Sequence, residues 1–188
     1  MGVIVGIQAR MSSSRLPGKS LMDIGGEPMI RRVWGACGEN HRRVLLTSNE
    51  KSDDQLVAYA TMQGWPVRRG SLSDVLSRYV NIAAYEHPEV LVRVCGDAPL
   101  LDKRWVYRAV DAVYETKGPV FVPDVLHAGT SDDWLRFASE AMEEDIEHAA
   151  AYLFEEHGKR INMAPPGYFS VNTQEDLDEA RKRWAEKH

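Results

Sequence analysis

The chain is short of cysteine, of long apolar runs and of any large excess of one charge. Only two cysteines occur in 188 residues, Cys37 and Cys95, far apart and outside any C-x-x-C spacing. That count excludes a disulfide framework and a cysteine-based zinc site, and it suits a reducing, cytoplasmic compartment. The apolar opening Val3-Ile4-Val5-Gly6-Ile7 passes into Gln8-Ala9-Arg10 without a signal-cleavage pattern. It is far below the ~20 residues a membrane span needs, so it reads as a first strand and no membrane association is expected. With 23 Lys and Arg against 28 Asp and Glu, the net charge is -5. No basic stripe with interleaved aromatics occurs, so a nucleic-acid groove is a poor reading.

What is present suits one globular domain over residues 1–188: at 44% hydrophobic, the chain needs no staple to bury a core. Apolar, β-rich runs alternate with helical stripes. Candidate strands are Val3 to Gln8, Val44 to Ser48, Val90 to Val94 and Val120 to Pro123, with weaker ones at Pro66 to Arg68 and Phe169 to Asn172. Between them, Ile30, Val33, Trp34 and Cys37 mark one amphipathic helix, with Pro28 at its first turn. Val75, Leu76, Tyr79 and Val80 mark another, and Val106, Ala109, Val110 and Val113 a third. Ser52-Asp53-Asp54-Gln55 reads as a capping box, and Thr173-Gln174-Glu175-Asp176 as the start of the last helix. Continuous apolar strands separated by helices predict an α/β fold, a mostly parallel sheet with helices on both faces. Ligands in such folds sit at the carboxyl ends of the strands.

The charge is uneven. Residues 1–43 hold seven basic side chains and three acidic ones, whereas residues 128–158 hold nine acidic residues and one Arg. The later stretch reads as a helical excursion, its second half one long helix through Met142, Ile146, Leu153 and Phe154, ended by Gly158. Gly129-Thr130-Ser131-Asp132-Asp133 reads as a loop available to an acceptor, and Glu147-His148 as a charged pair on the helix face.

The densest chemistry lies in Gln8-Ala9-Arg10-Met11-Ser12-Ser13-Ser14-Arg15-Leu16-Pro17-Gly18-Lys19, which leaves the first strand at its carboxyl end. Small residues let backbone N–H groups approach an anion, Arg offers forked donors and Lys a point charge. The pattern predicts a triphosphate cradle. Ser13 to Ser20 nearly matches a P-loop, yet Ser13 replaces the first Gly and Gly25-Gly26-Glu27-Pro28 interrupts the helix that a P-loop requires.

Four segments in order carry a resemblance: Ile7 to Leu21 with Gly25-Gly26-Glu27-Pro28-Met29, Arg69 to Tyr79, Arg93 to Asp102, and Ser170 to Leu177. Together they resemble the signatures of the cytidylyltransferase family that includes spore coat polysaccharide biosynthesis protein F and is related to the CMP-sialate and CMP-KDO synthetases. The resemblance implies a nucleotide-diphospho-sugar transferase (GT-A-like) fold. It also implies Mg2+-dependent transfer of CMP from CTP to a small sugar-type acceptor in polysaccharide biosynthesis, and a homodimer. By the same resemblance, Gln8, Ala9, Arg10, Ser12 and Ser13 contact the nucleotide, Arg15 and Lys19 neutralise the triphosphate, and Gly70, Ser71 and Asp74 hold base and ribose. Asp97 and Asn172 are the implied metal ligands, Asp97 being catalytic with Arg15 and Lys19. Arg93 is left outside the site, as a structural partner.

Two positions depart from the family pattern. Ser12 stands where Gly is usual. Asn172 stands where the family carries the Asp that completes its metal site, and a neutral amide adds no charge there. These departures motivate an alternative, a weakened or inactive nucleotide-binding module of the same fold.

Overall fold

Continuous apolar runs make strands that must be covered on both sides, and the protein is built around that requirement. A computed structural model describes residues 2–122, 126–140, 154–161 and 170–187. Four parallel strands, β1 (Val3–Gln8), β4 (Arg42–Ser48), β5 (Val67–Gly70) and β6 (Val90–Cys95), form one half of a seven-stranded sheet. Two-residue strands β2 (Asp23–Ile24) and β3 (Glu27–Pro28) make a separate antiparallel hairpin, turned by Gly25 and Gly26 at φ 62 and 88°. Beyond β6 come β7 (Val120–Val122), β8 (Leu126–Gly129) and β9 (Lys159–Arg160), giving the order β5-β4-β1-β6-β8-β7-β9. Only β8 runs against its neighbours, pairing antiparallel with both β6 and β7.

Alternation along the strands divides the core. Val5, Ile7, Leu45, Val92 and Val94 face α1 (Met29–Ala36), α2 (Asp54–Met62) and α4 (Lys103–Thr116). Ile4, Val44, Leu46 and Leu91 face α3 (Val75–Glu86) and α5 (Ser131–Glu140), where Tyr79 stacks on Trp134 with ring centroids 4.9 Å apart. The sheet is thus mostly parallel and covered on both faces. A third apolar cluster joins Leu16, Ile24, Met29, Val171, Leu177 and Ala180. It docks the last helix, α6 (Gln174–Lys187), against the hairpin and the loop after β1.

Several local expectations are corrected. Ser52-Asp53 is no capping box: residues Lys51–Asp53 form a 3-10 turn, and the Asp53 carboxylate turns inward rather than capping α2. Asp102 caps α4, accepting from the Arg104 N–H at 2.9 Å. Residues 129–133 are no open loop: Gly129 ends β8 and Thr130 caps α5 through reciprocal bonds with Asp133. Ser170 to Asn172 are not in a strand, and β8 was not foreseen. The long helix expected from Met142, apart from its end at Phe154, and the pair Glu147-His148 lie outside the described residues.

Candidate functional site

The carboxyl ends of β1 and β6 open into a cleft of about 380 Å3, a size that suits a small ligand. Its walls include Gln8, Ala9, Arg10, Ser13, Arg15, Lys19, Asp97 and Asn172, so eight of the sequence-derived candidates share one cavity. Five basic side chains line it, Arg10, Arg15, Lys19, Arg78 and Arg93, against two carboxylates, Asp97 and Glu155. Such a surplus of fixed positive charge in a concave wall favours an anionic ligand.

The loop after β1 is held from within. Gly18, left-handed at φ 76°, donates its N–H to the Met11 carbonyl at 2.8 Å and closes the turn before Lys19. Ser20 Oγ donates to the Arg10 carbonyl at 3.0 Å. Met11 donates its N–H to Asp53 Oδ1 at 2.7 Å, while Asp53 Oδ2 accepts from Thr47 Oγ1, from the Ser48 N–H and from Ser48 Oγ. Burial alone would push the Asp53 carboxyl up. Hydrogen bonds from Met11, Ser48 and Thr47 outweigh it and hold the group below its ordinary value. Asp53 therefore ties the loop to the end of β4, a tie that spans 42 positions and was missed in the sequence.

Asp97 is positioned by a close approach of backbones. Gly96 donates to the Gln8 carbonyl at 2.7 Å, and a Cβ on Gly96 would lie 2.5 Å from that oxygen. Only glycine lets β6 turn there. The next residue, Asp97, accepts from Lys19 Nζ through Oδ2 at 2.7 Å, and its Oδ1 is buried with no hydrogen-bond partner among the described residues. Lys19 Nζ also donates to the Val171 carbonyl at 2.7 Å and to Asn172 Oδ1 at 3.2 Å. Arg15 Nη2 donates to the same amide oxygen at 3.0 Å.

The unused oxygen on Asp97 fits a hard divalent cation. Mg2+ takes one or two carboxylates and keeps its remaining positions for water and phosphate oxygens. Among the described residues no cluster of three or more His, Cys, Asp or Glu is placed to hold a metal, so a cation on Asp97 would be completed by its ligand. Asn172 offers less, because both bonds that its amide oxygen accepts come from cationic side chains.

Four candidates do not line the cleft: Ser12, Gly70, Ser71 and Asp74. Three of them support a side chain that does. Arg78, only 3% exposed, packs on Gly70 and donates through Nε to the Ser71 carbonyl at 3.0 Å. Asp74 caps the helix that carries Arg78, accepting from the Ser77 N–H at 2.9 Å. Arg78 was legible: it shares the inward stripe of Val75, Tyr79 and Ile82. Arg93 also enters the cleft, donating to Gln8 Oε1 at 3.1 Å and to His127 Nδ1 at 2.9 Å. Its alternation with inward Val92 and Val94, so near the strand's carboxyl end, was the available signal.

The sequence matches the cytidylyltransferase family over residues 4–187. The chain belongs to the cytidylyltransferase family. Spore coat polysaccharide biosynthesis protein SpsF of Bacillus subtilis is 30% identical over 199 aligned residues, covering 92% of this chain and 82% of that protein. Among solved structures, a cytidylyltransferase from Leptospira borgpetersenii superposes with a TM-score of 0.85 at 24% identity, over 96% of this chain and 85% of that one. A CMP-2-keto-3-deoxy-manno-octonic acid synthetase complexed with CTP gives 0.79 at 17% identity, over the full length of both. The expected nucleotide-sugar transferase fold is thereby established for this cytidylyltransferase. Among the described residues no helix is long and apolar enough to cross a membrane.

Proposed function

We propose that this cytidylyltransferase transfers CMP from CTP to a hydroxyl of a sugar acid or modified sugar, with Mg2+ bound, as an activating step for polysaccharide synthesis in the cytoplasm. One observation carries the reading: a strand-end cleft in which five basic side chains outnumber two carboxylates, one of which, Asp97, keeps a buried oxygen unused. In the reaction the acceptor hydroxyl oxygen bonds to the α-phosphorus of CTP. The bond from that phosphorus to the α,β-bridging oxygen breaks, the hydroxyl proton is lost to water, and pyrophosphate departs.

Such a step asks the protein for position and charge rather than covalent chemistry. Arg10 and Arg15 face the triphosphate. Lys19 is a fixed positive charge at the cleft floor. Arg78, steadied by Ser71 and capped into place by Asp74, borders the nucleoside end. Asp97 would hold Mg2+, which withdraws charge from phosphate oxygens when bound. The acceptor falls on the β8 side, near Arg93 and His127.

Purified protein given CTP, Mg2+ and a panel of sugar acids, including 3-deoxy-manno-octulosonate and N-acetylneuraminate, releases pyrophosphate. No release across the panel together with no CTP binding by calorimetry overturns the reading; CTP binding without release returns the protein to a nucleotide-binding module.

A further inference from the structure

The amide of Asn172 sits where two cations meet. Its Oδ1 accepts from Arg15 Nη2 at 3.0 Å and from Lys19 Nζ at 3.2 Å. A carbonyl oxygen has two lone pairs, so this one has no acceptor capacity left. Lys19 is equally committed: its three N–H bonds go to Asp97 Oδ2, the Val171 carbonyl and Asn172 Oδ1.

The segment that presents Asn172 is fixed on all sides. Val171 is fully buried and donates its N–H to the Asp97 carbonyl at 2.8 Å. The N–H groups of Asn172 and Thr173 both donate to Asp176 Oδ2, at 2.8 and 2.9 Å, and Thr173 Oγ1 accepts from the Asp176 N–H, the reciprocal arrangement of a capping box. The N–H bonds from Asn172 and Thr173 hold the Asp176 carboxyl below its ordinary value. The amide therefore reaches the cleft from a rigid helix start, and Leu177 and Ala180 anchor that helix in the third apolar cluster.

We propose that Asn172 is a positioning residue that brackets Arg15 and Lys19 side by side over the cleft, holding both cations without neutralising either, and is not a ligand to the divalent cation. The proposal rests on the nucleotide-site reading only for the identity of the anion, a nucleoside triphosphate. A carboxylate at this position would form ion pairs with the same two cations. The folded protein would gain from that pairing, while the charge available to an incoming polyphosphate would fall by one. An Asn here keeps the cradle charged.

The test uses Asn172→Asp and Asn172→Ala with three readouts: thermal midpoint, affinity for CTP and for inorganic tripolyphosphate by calorimetry in EDTA, and Mn2+ affinity by electron paramagnetic resonance. The expected result for Asn172→Asp is a thermal midpoint equal to or above wild type with metal-free tripolyphosphate and CTP affinity lowered about tenfold or more. Asn172→Ala, which frees both cations from their bracket, loses several-fold in anion affinity and leaves Mn2+ affinity unchanged. A residue with only a structural role would move stability and affinity downward together. The proposal is overturned if Asn172→Asp binds the anions as tightly as wild type, or if Asn172→Ala weakens Mn2+ while sparing tripolyphosphate. Wild-type protein that binds tripolyphosphate, with the expected effects, yet shows no affinity for CTP overturns the nucleotide reading and leaves the bracket standing. Binding of neither anion overturns both.

Discussion

Replacing Asp53 by Asn tests whether the loop after β1, the proposed nucleotide cradle, is held by a residue outside the cleft wall. The side chain is fully buried and accepts four hydrogen bonds, three on Oδ2 and one, from Met11, on Oδ1. An Asn of the same shape must turn its oxygen toward the three donors from Thr47 and Ser48. Its NH2 group then faces the Met11 N–H across 2.7 Å, donor against donor. Hydrogen bonds to a charged group contribute about 1.5–3 kcal/mol, and an orphaned buried donor costs about 1–3 kcal/mol, so a loss of about 2–4 kcal/mol is expected at pH 7. In a chain of this size 1 kcal/mol moves the midpoint by about 2–4 °C, which gives a fall of about 5–15 °C.

The damage should concentrate where the loop begins. Met11 is the residue released, and it lies between Arg10 and Ser13 in the cleft wall. If 1–2 kcal/mol of the loss falls on loop order, CTP affinity drops roughly 5–30-fold. The pH dependence supplies a further check. The Asp53 carboxyl is held below its unfolded value, so its contribution is fully present above about pH 4 and is lost as pH falls through the folded pKa. The stability gap between wild type and Asp53→Asn should therefore narrow in acid. Urea unfolding at pH 7 and near pH 3.5, with CTP calorimetry at pH 7, measures all three effects. A variant within about 0.5 kcal/mol of wild type, the range of an ordinary surface change, and with unchanged CTP affinity, refutes the reasoning.

Other residues give sharper tests of single contacts. Arg78→Lys keeps the charge but loses the planar fork that reaches the Ser71 and Leu72 carbonyls, so CTP affinity should fall about tenfold with little change in Mn2+ affinity; calorimetry showing an unchanged Kd for CTP would remove Arg78 from the site. His127, buried between Arg93 and Phe154, has its pKa pushed well below the ordinary value by burial and then by Arg93. The unfolded chain then takes up this proton first as pH falls below about 6.5, so stability declines toward lower pH by up to about 1.4 kcal/mol per unit. His127→Gln should flatten that slope between pH 7.5 and 5.5 in urea unfolding, and equal slopes in the two proteins would contradict the assignment.

The parts of the fold that were legible are those where one local rule decides. Strands β1, β4 and β6 are apolar on both faces because both faces are covered, and the stripes of α1, α3 and α4 each turn toward the sheet. β8 was invisible for a physical reason: Leu126-His127-Ala128-Gly129 is too short to show a period, and its His is buried only because Arg93 of β6 lies opposite in register. The Gly25-Gly26 hairpin carries an ordinary two-residue turn signal, but two-residue strands leave no apolar pattern to accompany it. Asp53 was misread because a cap is a local explanation, whereas one of its partners, Met11, is brought to it by the tertiary fold from 42 positions away. Asn172 was singled out as a departure from the family pattern, while its two cationic donors come from 157 and 153 positions away.

Charge gives the same lesson in a stricter form. The basic excess of residues 1–43 suggested a cradle, and three of its seven cations, Arg10, Arg15 and Lys19, do line the cleft. The other four do structural work elsewhere. Arg32 lies over the Trp184 ring at 4.1 Å, Arg43 over Trp34 at 5.0 Å, Arg31 pairs with Glu27 and Arg42 with Glu86. Arg78 and Arg93 make up the number from α3 and β6, elements outside the basic segment. Net charge along a chain is thus a poor locator of a binding surface, since cations stacked on tryptophan or paired in place are spent on the fold. The better locator here is position at the carboxyl end of a parallel strand or one helical turn into the helix that follows. Arg10, Arg78, Arg93 and Asp97 all satisfy it, whereas Arg42 and Arg43 stand at the opposite, amino end of β4.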